Sequence, residues 1–341
     1  MKTTPSPEMT LAVAGRAGTV RLRTVLVAVL AAGILIGLPV AVSNPYYIHL
    51  AVLLLMWAAL GQSWNLLGGY AGQVSFGHSA FFGVGAYTSS LLFTKAGAPL
   101  WLGVAAGGLL SVVMAVPIGW TCFRLRGPYF SLTILGFSEI LRLIVTNWRD
   151  FTNGPLGVLF PPIFPSKTPF YYSMLGMTVL TMLACYLVIR SKLGFYFRAI
   201  REDQDAAEAL GIDTTTFKLV ALVISALFTG LVGGLYAAYV AYIDPPGVFS
   251  IPDVAIAMVV VALLGGLATF WGPVIGAVVV VGLSEVLRTT LGHVHLLVYA
   301  AVIMMVVLFM PEGIVGTVSR LLQRRHVKRP ISAARSAGRG G

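Results

Sequence analysis

Residues 190–218 read RSKLGFYFRAIREDQDAAEALGIDTTTFK, a charged island between two apolar runs, 171–189 and 219–242. Each flanking run approaches or exceeds the roughly 20 residues that a bilayer-spanning helix needs. The island sets Arg190, Lys192, Arg198, Arg201 and Lys218 against Glu202, Asp203, Asp205, Glu208 and Asp213. Only 10% of the whole chain is charged, so the concentration calls for a reason. A connection that merely joins two spans can be short and bland. Here Gln204 to Leu210 has a helical composition with acidic residues near its start, and Gly211 follows where a left-handed cap would sit. The stretch reads as a docking surface for a soluble partner on the cytoplasmic side.

Working outward, the remainder has the composition of a membrane domain. The chain has 341 residues, 57% of them hydrophobic, and a mean hydropathy of +0.89. Soluble domains are about a quarter charged, and this one cannot keep so much apolar surface out of water. Ten apolar stretches lie at 25–42, 46–67, 72–94, 100–122, 129–147, 171–189, 219–242, 254–268, 272–289 and 294–310. Ten spans use roughly 200 residues, which leaves no room for a soluble enzyme domain. The expected fold is therefore all-α, a polytopic membrane helix bundle of ten spans. Residues 254–289 are interrupted at Gly265-Gly266 and Trp271-Gly272-Pro273, so eight spans plus re-entrant segments is the alternative.

The basic residues set the orientation. With the N-terminus inside, eighteen of the 23 fall in cytoplasmic segments: the first 24 residues, Arg124 and Arg126, the 190–218 loop and the tail. Lys95, Arg149, Lys167 and Arg288 fall outside, and Arg142 lies within a span. This asymmetry predicts N-in and C-in. The expected layout is a cytoplasmic segment 1–24, a permease domain 25–317 and a basic cytoplasmic tail 318–341. Ala41-Val42-Ser43 would suit a signal-peptide cleavage site, but the preceding regions are long for one, and 25–42 reads as a retained span. The tail holds seven basic residues from Arg320 onward and no acidic ones, a composition that suits anionic lipid heads or disorder. The net charge of +11 does not point to nucleic acid, because the cations flank spans or lie in the tail. Cys122 and Cys185 lie in apolar runs and imply neither a disulfide framework nor a metal site.

Three constellations carry chemistry. The first is Gly68-Gly69-Tyr70-Ala71-Gly72-Gln73-Val74-Ser75-Phe76-Gly77-His78-Ser79-Ala80. Irregular backbone at membrane depth is tolerated only against protein or a watery cavity. The stretch reads as a broken helix lining a path, with Gln73, Ser75, His78 and Ser79 as candidate contacts, or as plain close packing through glycine. His78 alone reads more readily as a hydrogen-bonded packing residue. The second runs from Leu264-Gly265-Gly266 through Trp271-Gly272-Pro273 to Gly276-Ala277 and echoes the first, as paired broken segments do in transporters. Trp271 joins the path candidates. The third is Glu139 and Arg142, three residues apart on one helical face within a span. Charges at that depth should face the bundle interior and pair, either as a structural ion pair or as part of the path. Glu285 and Arg288 repeat the spacing near the outer end of a span. The chain contains no phosphate-binding loop, no Gly-x-Ser-x-Gly and no His-Glu-x-x-His, so it shows no enzyme signature of its own.

These residues resemble the permease subunits of bacterial branched-chain amino acid ATP-binding cassette importers, of the LivM/LivH type. The resemblance covers about residues 45–315. It is carried by Asn65-Leu66-Leu67-Gly68-Gly69 through His78, by Arg198-Ala199-Ile200-Arg201-Glu202-Asp203 through Ala206-Ala207 to Gly211, by the segment from Gly265 to Pro273, and by Pro311-Glu312-Gly313-Ile314. The long N-terminus and first span look more like LivM. Such permeases carry a cytoplasmic Glu-Ala-Ala-x-x-x-Gly loop that docks on the ATPase. Asp205-Ala206-Ala207-Glu208-Ala209-Leu210-Gly211 matches that spacing with Asp for Glu, and the Ile-x-Leu-Pro ending is absent.

The resemblance implies coupling roles for Arg198, Arg201, Asp205, Ala206, Ala207 and Gly211. It implies a second homologous permease subunit, two ATP-binding cassette subunits that bind the ATP, an extracytoplasmic substrate-binding protein, no cofactor in this chain, and a place in the bacterial inner membrane. The implied cargo is leucine, isoleucine or valine. A urea or short-amide permease is the near alternative, and an ion-coupled secondary transporter is the alternative from another class.

Overall fold

A computed structural model of the chain describes residues 33–42, 44–291, 297, 298, 300, 301, 304, 305, 308, 313–317 and 320. The expected segment 1–24 lies outside these residues. So do most of the tail 318–341 and much of the first and tenth expected spans. The chain divides into two units, Met1–His49 and Leu50–Gly341. In the first, residues 33–41 are helical and a second helix begins at Pro45.

Among the described residues of the second unit, the regular elements are helices joined by loops, apart from one two-residue strand pair. In chain order the principal helices are α1 (Pro45–Asn65), α2 (His78–Ala96), α3 (Leu100–Cys122), α4 (Pro128–Asn147), α5 (Thr168–Arg190), α6 (Lys192–Glu202), α7 (Gln204–Ala209), α8 (Thr214–Val240), α9 (Ala257–Gly265) and α10 (Gly272–Leu291). Strands β1 (Val158–Leu159) and β2 (Tyr242–Ile243) pair antiparallel. Among the described residues, seven helices are long and apolar enough to cross a membrane. The α2 helix is too polar to be one of them. It nonetheless runs the length of the bundle, because its serines and glycines are buried between α3 and α8 rather than exposed.

The connections fall at two ends of the second unit. At one end Arg126 meets Asp205, Arg201 lies against Gly72, and Asn65 meets Thr269. At the other, Lys95 Nζ donates to the carbonyls of Asp150 and Phe151, and β1 pairs with β2. Every helix from α1 to α5, and again α8 and α10, runs from one end toward the other.

Close backbone approach holds the centre. A methyl on Gly85 would strike the carbonyl of Gly230, and one on Gly107 would stand 2.7 Å from the carbonyl oxygen of Gly85. In lipid, where burying apolar surface drives helices together only weakly, such contact is the main source of association. Ser111 Oγ shares its proton between the Phe81 carbonyl across the same seam and the Gly107 carbonyl one turn back in its own helix.

One expected span is corrected. The third was expected to begin at residue 72, but residues 71–77 are not helical and α2 starts at His78. Gly72 is left-handed (φ +70), with the Arg201 backbone and stem packed where a side chain would go. The eighth expected span, 254–268, is helical up to Gly265, a π-helical turn, Ile251–Ile256, running directly into α9; ahead of it the chain makes a four-residue helix, Pro245–Val248, and turns at Phe249 and Ser250. Pro245, Pro246 and Pro252 lack the amide hydrogens that a continuous helix would need.

Candidate functional site

The 190–218 island folds as two helices. The first, α6, was not foreseen as a separate element. It buries Gly194, Phe197 and Ile200 on one face, three residues apart, and leaves Lys192, Phe195 and Arg201 exposed. Ser191 caps its start by accepting from the Leu193 amide. The second, α7, is the expected helical middle. Asp203 caps it by accepting from the Ala206 amide at 3.0 Å. Its end is a Schellman motif: the Gly211 amide bonds the Glu208 carbonyl at 2.9 Å, and the Ile212 amide bonds that of Ala207 at 3.1 Å. Gly211 has φ +84, the left-handed cap that its position implies.

A set of partners far apart in sequence braces α7 from behind. Arg126, between α3 and α4, donates from Nη1 to Asp205 at 2.6 Å and from Nη2 to Glu208 at 3.2 Å. Buried Lys218 donates to Gln204 Oε1, and Gln204 Nε2 donates to Glu208 Oε1 at 2.8 Å. The Thr214 hydroxyl donates to the same Glu208 oxygen at 2.6 Å. The hydrogen bonds from Gln204 and Thr214, with the Arg126 charge behind them, hold the Glu208 carboxyl below its usual range. Ala207 is buried, whereas Ala206, Ala209 and Leu210 are exposed, Leu210 at 83%. The outcome is a short helix, capped at both ends, with a small apolar outer face and Asp205 at its edge.

The other residues read as coupling candidates divide. The Arg198 guanidinium donates to the carbonyls of Gly194 and Ile189, the latter one of the open carbonyls at the end of α5. Arg201 lies along Gly72 and ties α6 to the glycine-rich turn. Sequence reasoning missed Gln204, Glu208, Thr214, Lys218 and Arg126 as one network, since nothing local joins residues 79 and 82 positions apart.

The path candidates are not brought together in one lining. His78 is fully buried: Ser225 Oγ donates to the Ser63 carbonyl at 2.6 Å and so accepts from His78 Nε2 at 2.7 Å, which leaves Nδ1 to accept from Ser75 Oγ at 3.0 Å. Ser79 and Ser138 share a hydrogen bond of 2.8 Å between α2 and α4. These groups lock helices together in this conformation. Gln73 and Trp271 lie at the α7 end, Gln73 half-buried and Trp271 61% exposed. The Asn65 side chain grips the second glycine motif there, accepting from the Ala268 amide and donating to the Thr269 carbonyl, both at 3.0 Å.

Glu139 and Arg142 do pair, through Nε to Oε2 at 2.9 Å and a second bond from Nη2 to Oε1. The expectation that they face the bundle interior is corrected. Phe130, Ile134 and Ser138 hold that face of α4, and the pair sits at its margin with side chains 40% and 27% exposed. Among the described residues no group of three or more His, Cys, Asp or Glu is placed to hold a metal ion.

Residues 44–310 match the family described as the branched-chain amino acid transport system permease component. The LivM permease protein of the high-affinity branched-chain amino acid transport system of Salmonella typhimurium is 28% identical, over 81% of this chain and 73% of its own. Its Escherichia coli K12 counterpart is 27% identical, over 78% and 69%. The Salmonella typhimurium LivH permease protein of that system is 27% identical, over 76% and 91%. No solved structure matches the chain. With more than three quarters of its length matched, a helical bundle under it and a braced helix in the matched region, the chain belongs to the family of branched-chain amino acid transport system permease components.

Proposed function

We propose that this chain is the membrane subunit of an ATP-driven importer of branched-chain amino acids in the bacterial inner membrane. A second, homologous permease completes the path. Two separate ATP-binding cassette subunits bind the ATP, and this chain carries no cofactor or catalytic site. A binding protein delivers leucine, isoleucine or valine from outside. The chain crosses the membrane ten times with both termini inside: a cytoplasmic segment 1–24, the permease domain 25–317 and a basic tail 318–341.

One observation carries the reading. α7 presents Ala206, Ala209 and Leu210 outward while Arg126, Lys218 and Thr214 hold it from within. Small residues let a partner's groove close over the helix, and Asp205 offers a charge at its rim. A push on α7 passes to the α3–α4 connection through Arg126, and through α6 and Arg201 to the glycine-rich turn at Gly72. The helices then rock between outward-open and inward-open arrangements. On this reading Ser75, His78 and Ser79 stiffen the wall of the path, and Gln73 and Trp271 stand at its cytoplasmic mouth. Glu139 and Arg142 lie about halfway along α4, where lipid exposure is costly, so the second permease or the watery path covers them.

The test is reconstitution. The chain, a second permease and the two ATPases in proteoliposomes, with binding protein outside, should accumulate labelled leucine only when ATP is inside. Uptake by this chain alone on an ion gradient would instead make it a secondary transporter.

A further inference from the structure

The break between α8 and α9 lies deep in the bundle. Past β2 the chain turns inward, and the Phe249 ring packs on Gly83, where an added Cβ would stand 2.6 Å from it. Gly83 is the sixth residue of α2, and thirteen residues separate it from Ala96 at the β-strand end. At 1.5 Å per residue that is about 20 Å along the helix. The helix that resumes at Ile251 therefore starts inside the membrane. Its first turn carries Asp253, whose amide donates to Ser250 Oγ at 3.1 Å and whose carboxylate accepts from that hydroxyl at 2.6 Å. Asp253 is exposed and, among the described residues, has no basic side chain within ion-pairing distance. A carboxylate without a basic partner at such depth is expensive unless it meets water or a cation.

Two adjoining cavities, of about 240 and 270 Å³, meet at this residue and share Leu53, Trp57 and Asp253. One continues between Met56, Leu60 and Val254, an apolar recess. The other runs along α10 past Ser284 to Glu285, which pairs with Arg288 at 2.9 Å. The recess offers an aliphatic wall, the Trp57 indole offers a face that attracts cations, and the carboxylate offers the opposite charge. Discontinuous helices at mid-membrane are where transporters hold their cargo.

We infer that this groove is a binding station for the transported amino acid, with Asp253 the counter-ion of its ammonium group and the recess lined by Leu53, Met56 and Val254 the seat of its branched side chain. The inference rests on the importer reading above and adds a site to it. If Asp253 served only to cap a helix, an asparagine would serve as well; if it binds an ammonium, the charge is essential.

The experiment uses the complete transporter and a leucine analogue with a diazirine in its side chain, with cross-links mapped by mass spectrometry. The label should fall on residues 50–60 or 252–258. Leucine and leucinamide, which keep the ammonium, should compete; 4-methylpentanoate, which lacks it, should not. Labelling should fall at least tenfold in D253N that still elutes with its partners, and should persist in D253E. Labelling of α4 around Glu139 and Arg142 instead, labelling undiminished in D253N, or no label in a complex that imports leucine would each overturn the station and leave the importer reading intact. A wild-type complex that fails to import leucine would overturn both.

Discussion

At the residue scale, Gly211 and Glu208 show what is local and what is not. Gly211 was legible because a left-handed cap depends only on its own backbone and the helix before it. Nothing lies within 4 Å of where its side chain would be, so a substitution there is a pure backbone test. Gly211→Val at φ +84 should cost about 1–2 kcal/mol of cap stability. It should reduce recovery of the ATPases with the affinity-tagged permease; unchanged recovery would remove the cap from the coupling account. Glu208 was illegible, because its partners come from the α3–α4 connection and the start of α8. Its carboxyl is held below the usual value of about 4.3. The sign follows: the brace is complete above that value and is lost as pH falls through the depressed one. Hydrogen exchange across 203–213, corrected for intrinsic rate, should stay slow from neutral pH down into the usual carboxylate range and rise only as pH falls below it. Glu208→Gln should exchange fast already at pH 7. Equal protection at every pH in both would mean that the carboxylate holds nothing.

At the element scale, apolar runs located the helices, and the break at 244–250, with Asp244, Pro245, Pro246 and Ser250, falls between the runs 219–242 and 254–268. The break at 71–77 lay inside an expected span and was not registered, because it is set by a left-handed glycine against Arg201. The α2 helix shows the reverse case, a polar crossing that its burial makes possible. Gly85 lies on the seam of α2, α3 and α8. Gly85→Ala must move α8, since the obstacle is backbone rather than a flexible side chain. Overpacking of this kind costs about 1–3 kcal/mol, and the purified subunit should melt several degrees lower; an unchanged midpoint would contradict the packing described. On α4, Glu139→Ala strands Arg142. The expected loss is about 3 kcal/mol, read as reduced thermal stability, and Glu139→Ala/Arg142→Ala together should recover part of it. If the single and double variants melt alike, the two charges are not coupled.

At the scale of the whole molecule, composition alone gave the helical membrane class, and the charge island marked the end at which a partner would bind. Neither revealed where the interior holds polar groups. The His78 network and the Asn65 grip join residues from 147 to 204 positions apart, and Asp253 attracted no notice because a lone acid in an apolar run has no pattern to betray it. The central claim is that α7 faces the cytoplasm and is gripped there by a separate ATPase. Both native cysteines are buried, so a single exposed thiol can be followed. In Ala209→Cys, a membrane-impermeant maleimide should react in inverted vesicles stripped of ATPase, should be blocked when the ATPase is restored, and should not react in intact cells. Reaction from outside intact cells would put α7 on the wrong side of the membrane and contradict the account.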